Sequence, residues 1–274
     1  MSLRRALNRG ARASDHTVRY GEGSEHVIEL WRPKGAPGFP TVVVIHGGFW
    51  AARYDRAHIR PLCAALADHG FVAAALEYHR VGQPRGGWPG TFQDVADGLD
   101  ALPNLTAGLL DDDRTVLVGH SAGGHLALWA ALRRQLPLGS AGRRAERLPI
   151  TGVVALAGIS DLHEAHRLDL GAGAVERLLG GGPMQYAARY ATADPARLLP
   201  LESPCVLLHG SADDHVPFQI SQRFHDLAIA GGGREITLTR LPGTGHFDVI
   251  DPASTAFPAV LDAINTVSRI DNSR

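Results

Sequence analysis

Residues Val116 to Ala130 read VLVGHSAGGHLALWA. Branched apolar residues run up to Gly119 and stop, Ser121 follows among small residues, and a helical pattern begins at once. A short, continuously apolar run suits a strand covered on both faces. The chain therefore passes from buried strand to helix around a single hydroxyl. Small residues could be there only to let strand and helix pack closely. Gly119-His120-Ser121-Ala122-Gly123 also matches G-x-S-x-G, the turn that strains a serine's backbone and lifts its hydroxyl above a sheet as a nucleophile. The neighbouring segments decide between the two.

On either side, strand-like and helix-like stretches alternate. HTVRY and HVIELW flank GEGS and read as an N-terminal hairpin. TVVVI (41–45) is a buried strand, AHIRPLCAALADHG an amphipathic helix closed by Gly70, and FVAAALEY a second buried strand. TFQDVADGLDAL is a helix with Thr91 and Asp94 placed for an N-terminal cap. ITGVVALAG, PCVLLHG and REITLTRL supply further strands, with helices from about Pro217 to Ala230 and from about Ala253 to Ser268. This rhythm predicts an α/β fold: a mostly parallel sheet of about eight strands with helices on both faces. Between Ser160 and Pro200, glycines and short helical pieces break it. That segment reads as a small cap insertion over the carboxyl edge of the sheet, within one domain spanning 1–274.

Bulk properties narrow the function. A chain of 274 residues with 45% apolar and 20% charged residues can bury a large core. A net charge of −1 supplies no basic field for nucleic acid. Arg143, Arg144 and Arg147 flank a proline-glycine loop and read as a solvated face. Cys63 and Cys205 stand far apart in apolar settings, as free thiols do in a reducing compartment. The basic N-terminus MSLRRALNRGARAS lacks an apolar core, and no apolar run approaches the length of a membrane span. A cytoplasmic protein acting on a small molecule is expected, with no membrane or nucleic-acid partner; a homodimer stays open as the assembly.

A serine hydroxyl is a weak nucleophile and needs a base held by a carboxylate. Behind such an elbow, the acid and then the histidine follow, each after a later strand. PCVLLHGSADDHVPF offers Asp213 and Asp214, of which only one can face the base; Asp213, three residues before Val216-Pro217, is the choice, and Asp214 reads as a loop cap. LPGTGHFDVIDP places His246 in a glycine-rich loop after the last strand. Ser121, Asp213 and His246 thus come in the required order. VVVIHGGFW adds glycines directly after a buried strand, where the backbone N–H groups of Gly47 and Gly48, with that of Ala122, can hold an oxyanion.

These motifs resemble the α/β-hydrolases over nearly the whole chain from about Val27. The pair HGGFW and GHSAGGHLALW is similar to hormone-sensitive-lipase-like esterases and, in the aromatic and tryptophan that follow HGG, to the kynurenine formamidase branch. LAGISDL and GHFDVID also look like formamidase-branch segments. EYHRVGQPRGGWPGTFQDV stands where the esterases carry aspartate-tyrosine-arginine; Glu77 and His79 depart from that pattern. The resemblance implies an α/β-hydrolase fold and a serine hydrolase that cleaves carboxylic esters through an acyl-enzyme. Cleavage of an aryl formamide by the same triad is the alternative, with Arg80, Arg85 or His125 facing a carboxylate on the substrate. A non-catalytic binding protein of the same fold is a remote third.

No metal or organic cofactor is expected. His163 and His166 in HEAH are one residue too close for the zinc-binding H-E-x-x-H. GGGP (180–183) lacks the lysine of a phosphate loop, and Asp111 to Asp113 read as a solvated turn before a strand. Phe49, Trp50, Trp88 and Phe247 are candidates for the substrate pocket, and Trp129 for the core.

Overall fold

The computed structural model describes residues 10–35, 38–106, 110–143, 148–233 and 235–268. Arg144 and Arg147, and most of the basic N-terminal stretch, lie outside them.

Eight strands form one sheet: β1 (His16–Arg19), β2 (Val27–Trp31), β3 (Pro40–Ile45), β4 (Val72–Leu76), β5 (Asp111–His120), β6 (Gly152–Leu156), β7 (Cys205–Gly210) and β8 (Ile236–Leu241). Their order is β1-β2-β4-β3-β5-β6-β7-β8. β1 and β2 are the antiparallel hairpin, β2 runs antiparallel to β4, and every later pairing is parallel. The strands β4, β6 and β7 are buried along their whole length. Such strands need cover on both faces, and the helices supply it. β8, at the edge, alternates instead.

Side chains divide with the period of the pleat. Val43 and Ile45 join one core with Phe92, Leu126, Trp129 and Phe224. Val42 and Val44 join the other with Leu62, Leu66, Val260 and Ile264. Helices α2 (Gly90–Leu105), α3 (Ala122–Leu132) and α7 (Phe218–Ala230) therefore cover one face, and α1 (Arg60–Asp68) and α8 (Phe257–Ser268) the other. Every residue of α3 from Ala122 to Ala130 is buried, as a central helix requires.

Parallel register fixes where the site can form. Ile45 lies opposite Gly119, and His120 opposite Leu156. The loops after β3 and β5 thus leave the sheet side by side at its carboxyl edge. Gly210 lies opposite Leu241, which brings the loops after β7 and β8 to the same edge.

Two local expectations need correction. Asp111 to Asp113 are strand rather than turn: β5 starts at Asp111, opposite Pro40, with a register shift before Thr41. Thr91 and Asp94 do not cap α2, whose N-terminal position is Pro89. The Thr91 hydroxyl donates to the carbonyl of His79 at 2.6 Å, and Asp94 accepts the His79 N–H at 2.8 Å. Both tie α2 to the chain leaving β4.

Ser160 to Pro200 carries three short helices, α4 (Leu162–Arg167), α5 (Ala174–Leu179) and α6 (Ala187–Ala193). Leu162, Val175, Leu178 and Tyr190 are buried in the same core as α2 and α3. The Trp129 indole donates to Thr192 and the Trp88 N–H to Leu178, which fastens the segment down. Among the described residues, no helix is long and apolar enough to cross a membrane.

Candidate active site

The chain leaves β5 through Ser121 at φ 56° and ψ −120°, and α3 starts at the next residue. A non-glycine residue in that region is strained, and its surroundings must hold it there. The Ser121 N–H donates to Leu156 at 2.9 Å, and its carbonyl accepts from Ile159 and His125. The flanking glycines have a steric cause. A Cβ at Gly119 would lie 2.1 Å from the Gly123 carbonyl oxygen, and one at Gly123 would lie 2.0 Å from that of Ile45. Strand, elbow and helix can approach this closely only without side chains at these positions.

After β7, Asp213 is held in place by its own turn. Its Oδ1 accepts the backbone N–H groups of His215 and Val216, at 2.9 and 2.8 Å. Its Oδ2 accepts from His246 Nδ1 at 2.7 Å. Burial alone would raise the Asp213 pKa. The hydrogen bonds from His209 and His246 outweigh it and hold the carboxyl far below the usual range. Asp214 points outward and pairs with His215 at 2.6 Å. Because the Asp213 carboxylate is ionised and can only accept, His246 carries its proton on Nδ1 and presents a lone pair at Nε2. Burial lowers the His246 pKa below 6.5, and Asp213 opposes part of that shift.

The loop after β3 completes the group. A Cβ at Gly47 would lie 2.9 Å from that of Ser121, so the Gly47 backbone runs directly beside the serine. Gly48 takes φ +107°, and Phe49 and Trp50 follow at φ 51° and 55°. His46 anchors this strained run: its ring faces the Gly47 carbonyl at 2.8 Å and Glu77 Oε1 at 2.8 Å. Glu77, fully buried, also binds Arg56 and Arg80. Burial would raise its pKa, but His46 and Arg80 bring it down to about 2.

Ser121 and His246 share a cavity of about 190 Å³ with Gly48, Phe49, Arg53, Tyr54, His58, His120, His215 and Phe247. His215 stacks on His246, with ring centroids 4.9 Å apart and planes 10° from parallel. His120 Nε2 donates to the His246 carbonyl at 2.9 Å. The Nδ1 atoms of His58 and His120 are buried without a hydrogen-bond partner. Burial brings the His58 pKa down to about 4 and that of His120 well below 6.5, so both rings are neutral.

The family model described as BD-FAE matches residues 28–227. The chain belongs to the BD-FAE family. Curated relatives of this BD-FAE chain include two proteins of Mycobacterium tuberculosis (strain ATCC 25618 / H37Rv). They are the probable carboxylic ester hydrolase LipM, 28% identical over 90% of this chain, and the esterase LipQ, 27% identical over 87%. The isoprenylcysteine alpha-carbonyl methylesterase ICME of Arabidopsis thaliana is 25% identical over 94%. The chain spans 59% of LipM, 58% of LipQ and 62% of ICME. Among solved structures, inhibited esterase B from Lactobacillus rhamnosis superposes with a TM-score of 0.80 at 23% identity, covering 96% of this chain and 91% of that one. A truncated carbohydrate esterase from gut microbiota gives 0.79 at 20%, covering 95% and 99%. The BD-FAE chain has the α/β-hydrolase fold.

The BD-FAE structure brings Ser121, Asp213, His246, Gly47 and Gly48 to one edge of the sheet, with Ala122 next to the serine. Phe49 and Phe247 line the cavity. Trp50 and Trp88 do not, which corrects the expected pocket. Trp50 is buried in the core, where its indole donates to His125 Nδ1 at 3.2 Å; the positive φ of the loop turns the ring inward. Trp88 packs edge-on against Phe92. Neither Arg80 nor His125 is free to meet a substrate carboxylate. Arg80 is spent on Glu25, Glu77 and the Tyr54 carbonyl, and His125 on Trp50 and the Ala193 carbonyl. His163 and His166 bind separate carboxylates, Asp194 and Glu176. His26, His79 and Asp94 come close enough to hold a metal ion, but Asp94 already joins both rings by hydrogen bonds. Sequence reasoning missed Arg53, Tyr54, His58 and His215. For His215 a signal existed, its place directly after the paired aspartates.

Proposed function

We propose that this protein is a serine hydrolase cleaving carboxylic esters of small or medium size through an acyl-enzyme. The observation that carries this reading is the 2.7 Å bond from His246 Nδ1 to Asp213, with the other face of His246 on a cavity shared with Ser121. The Ser121 hydroxyl attacks the ester carbonyl carbon while His246 Nε2 takes its proton. The N–H groups of Gly47, Gly48 and Ala122 hold the oxyanion that forms. Collapse breaks the bond to the alcohol, which leaves with the proton from His246. Water, deprotonated by His246, then attacks the acyl-enzyme and releases the acid. These steps call on no metal or organic cofactor.

A cavity of about 190 Å³ is smaller than the roughly 300 Å³ at which drug-sized sites begin, and this suits short acyl groups. The names of the relatives support ester cleavage rather than the arylformamide alternative. In our reading the chain is one domain in which Ser160–Pro200 forms an insertion that backs the Phe49 wall; a Cβ at Gly171 would lie 2.6 Å from that ring. The buried, unpaired Cys63 and Cys205 fit the reducing cytoplasmic setting expected from the sequence.

Hydrolysis of p-nitrophenyl acetate tests the reading. Ser121→Ala should abolish turnover, and Asp213→Asn should lower kcat by about 10⁴-fold, as loss of the orienting carboxylate does elsewhere. Asp214→Asn should stay within a few-fold of the parent. If Ser121→Ala kept the parent rate, the reading would be wrong.

A further inference from the structure

The cavity around Ser121 has an unbalanced charge. Among the described residues, its lining holds one permanent cation, Arg53, together with four histidines and no carboxylate. Arg53 is solvent-exposed, and among the described residues no acid lies within ion-pair distance of it. Asp55, two positions on, accepts the Ala57 N–H at 2.8 Å, Asp214 pairs with His215, and Asp213 holds His246.

The arginine lines the same cavity as Ser121 and His246. Its guanidinium carbon lies over the Tyr54 ring, 4.8 Å from the centroid, and among the described residues its N–H groups make no hydrogen bond. Tyr54 is fixed in turn. Its N–H donates to Ala51, its carbonyl accepts from Arg80, and its side chain packs so tightly on Gly48 that a Cβ there would come within 2.5 Å. The Ala52 N–H donates to Val81, and the Val81 N–H to Trp50, which pins this loop to the chain beyond β4. Arg53 thus rides on a rigid loop continuous with the candidate oxyanion glycines.

We propose that Arg53 selects esters carrying a carboxylate, binding that anion at the cavity wall while Ser121 attacks the ester carbonyl. Half-esters of dicarboxylic acids carry the anion on the acyl side, and acyl esters of hydroxy acids carry it on the leaving side. In a cavity this small, either anion comes within reach of the guanidinium. The proposal rests on the ester-hydrolase reading and adds the substrate class.

The test compares kcat/KM for two pairs of esters in the parent, Arg53→Gln and Arg53→Lys. Mono-p-nitrophenyl succinate against p-nitrophenyl pentanoate probes the acyl side; 4-acetoxybenzoate against its methyl ester probes the leaving side. The anionic-to-neutral ratio should fall about tenfold in Arg53→Gln for one of the pairs, and Arg53→Lys should keep part of it. The pair that responds assigns the side. In the parent the same ratio should drop as salt is raised, since the guanidinium is exposed to counter-ions, and in Arg53→Gln it should not. A change of less than about threefold in both pairs, or a parent ratio indifferent to salt, overturns the proposal. If even the neutral esters are not turned over above the Ser121→Ala blank, the hydrolase reading falls and this one with it. If they are and the ratio does not move, only the role of Arg53 falls.

Discussion

In the proposed mechanism His246 works as a base only while its ring is neutral, so its surroundings set the acid limit of activity. Burial lowers its pKa from 6.5, Asp213 pulls it back up, and His215 and His209 push it down again. The sum is a lowered value, which keeps the ring neutral further into acid. The acid limb of kcat/KM against pH should therefore have its midpoint below 6.5. His215 is one source of the shift: its ring stacks on that of His246, with centroids 4.9 Å apart, from the cavity side. Replacing it with glutamine removes that repulsion and should move the midpoint up, toward neutral pH. A parent midpoint at or above 6.5, or a downward move in His215→Gln, would contradict this account. Titrating kcat/KM of both proteins on one neutral ester decides it.

At the scale of the element, the run from β3 into His46-Gly47-Gly48 is held by a group from the next strand of the sheet. Glu77 leaves β4 fully buried and meets His46, Arg56 and Arg80. Removing one member of such a network leaves buried charges without partners, at a cost of about 3–5 kcal/mol. Glu77→Gln should lower the unfolding free energy by an amount in that range, read from denaturant midpoints at constant slope. A loss under about 1 kcal/mol would mean that the network is not what holds the strand ends together. This residue also marks the limit of what the sequence discloses. Ser121, Asp213 and His246 were legible because each sits in a local signature: glycines around a serine after an apolar run, an acid after a strand, a histidine in a glycine-rich loop. Glu77 was visible only as a departure from a pattern, because two of its three partners, His46 and Arg56, lie 31 and 21 positions away. Trp50 misled for a related reason. The direction of its ring depends on a backbone angle of φ 55°, which no spacing of apolar residues encodes.

At the scale of the whole molecule, the mostly parallel sheet and its two-sided cover could be read from the alternation of apolar strands and amphipathic helices, whereas the number of histidines sealed inside could not. Of 14 histidines, three are buried with strongly lowered pKa values: His58 and His125 at about 4, and His120 well below 6.5. His58 and His120 face each other at the cavity, with ring centroids 6.4 Å apart, and His125 lies on α3; all three are desolvated when the chain folds. The consequence for stability follows from linkage. In the unfolded chain each ring takes up a proton near pH 6.5, while the folded protein keeps His58 and His125 neutral down to about 4 and His120 neutral well below 6.5. Between those limits the unfolded state binds more protons, so stability falls as pH falls. With three rings acting together the slope approaches about 4 kcal/mol per pH unit near pH 5. Glu77 and Asp213 add to the loss only at lower pH, because carboxylates with lowered pKa values stop contributing as they protonate below about 4.5. Thermal unfolding should accordingly show a flat Tm from pH 8 to about 7 and a steep decline from about 6.5 to 4.5. His125→Gln should make that decline shallower, by removing one of the protons. A Tm that stays level down to pH 5 would mean that these rings are already charged, or hydrated, within the folded protein.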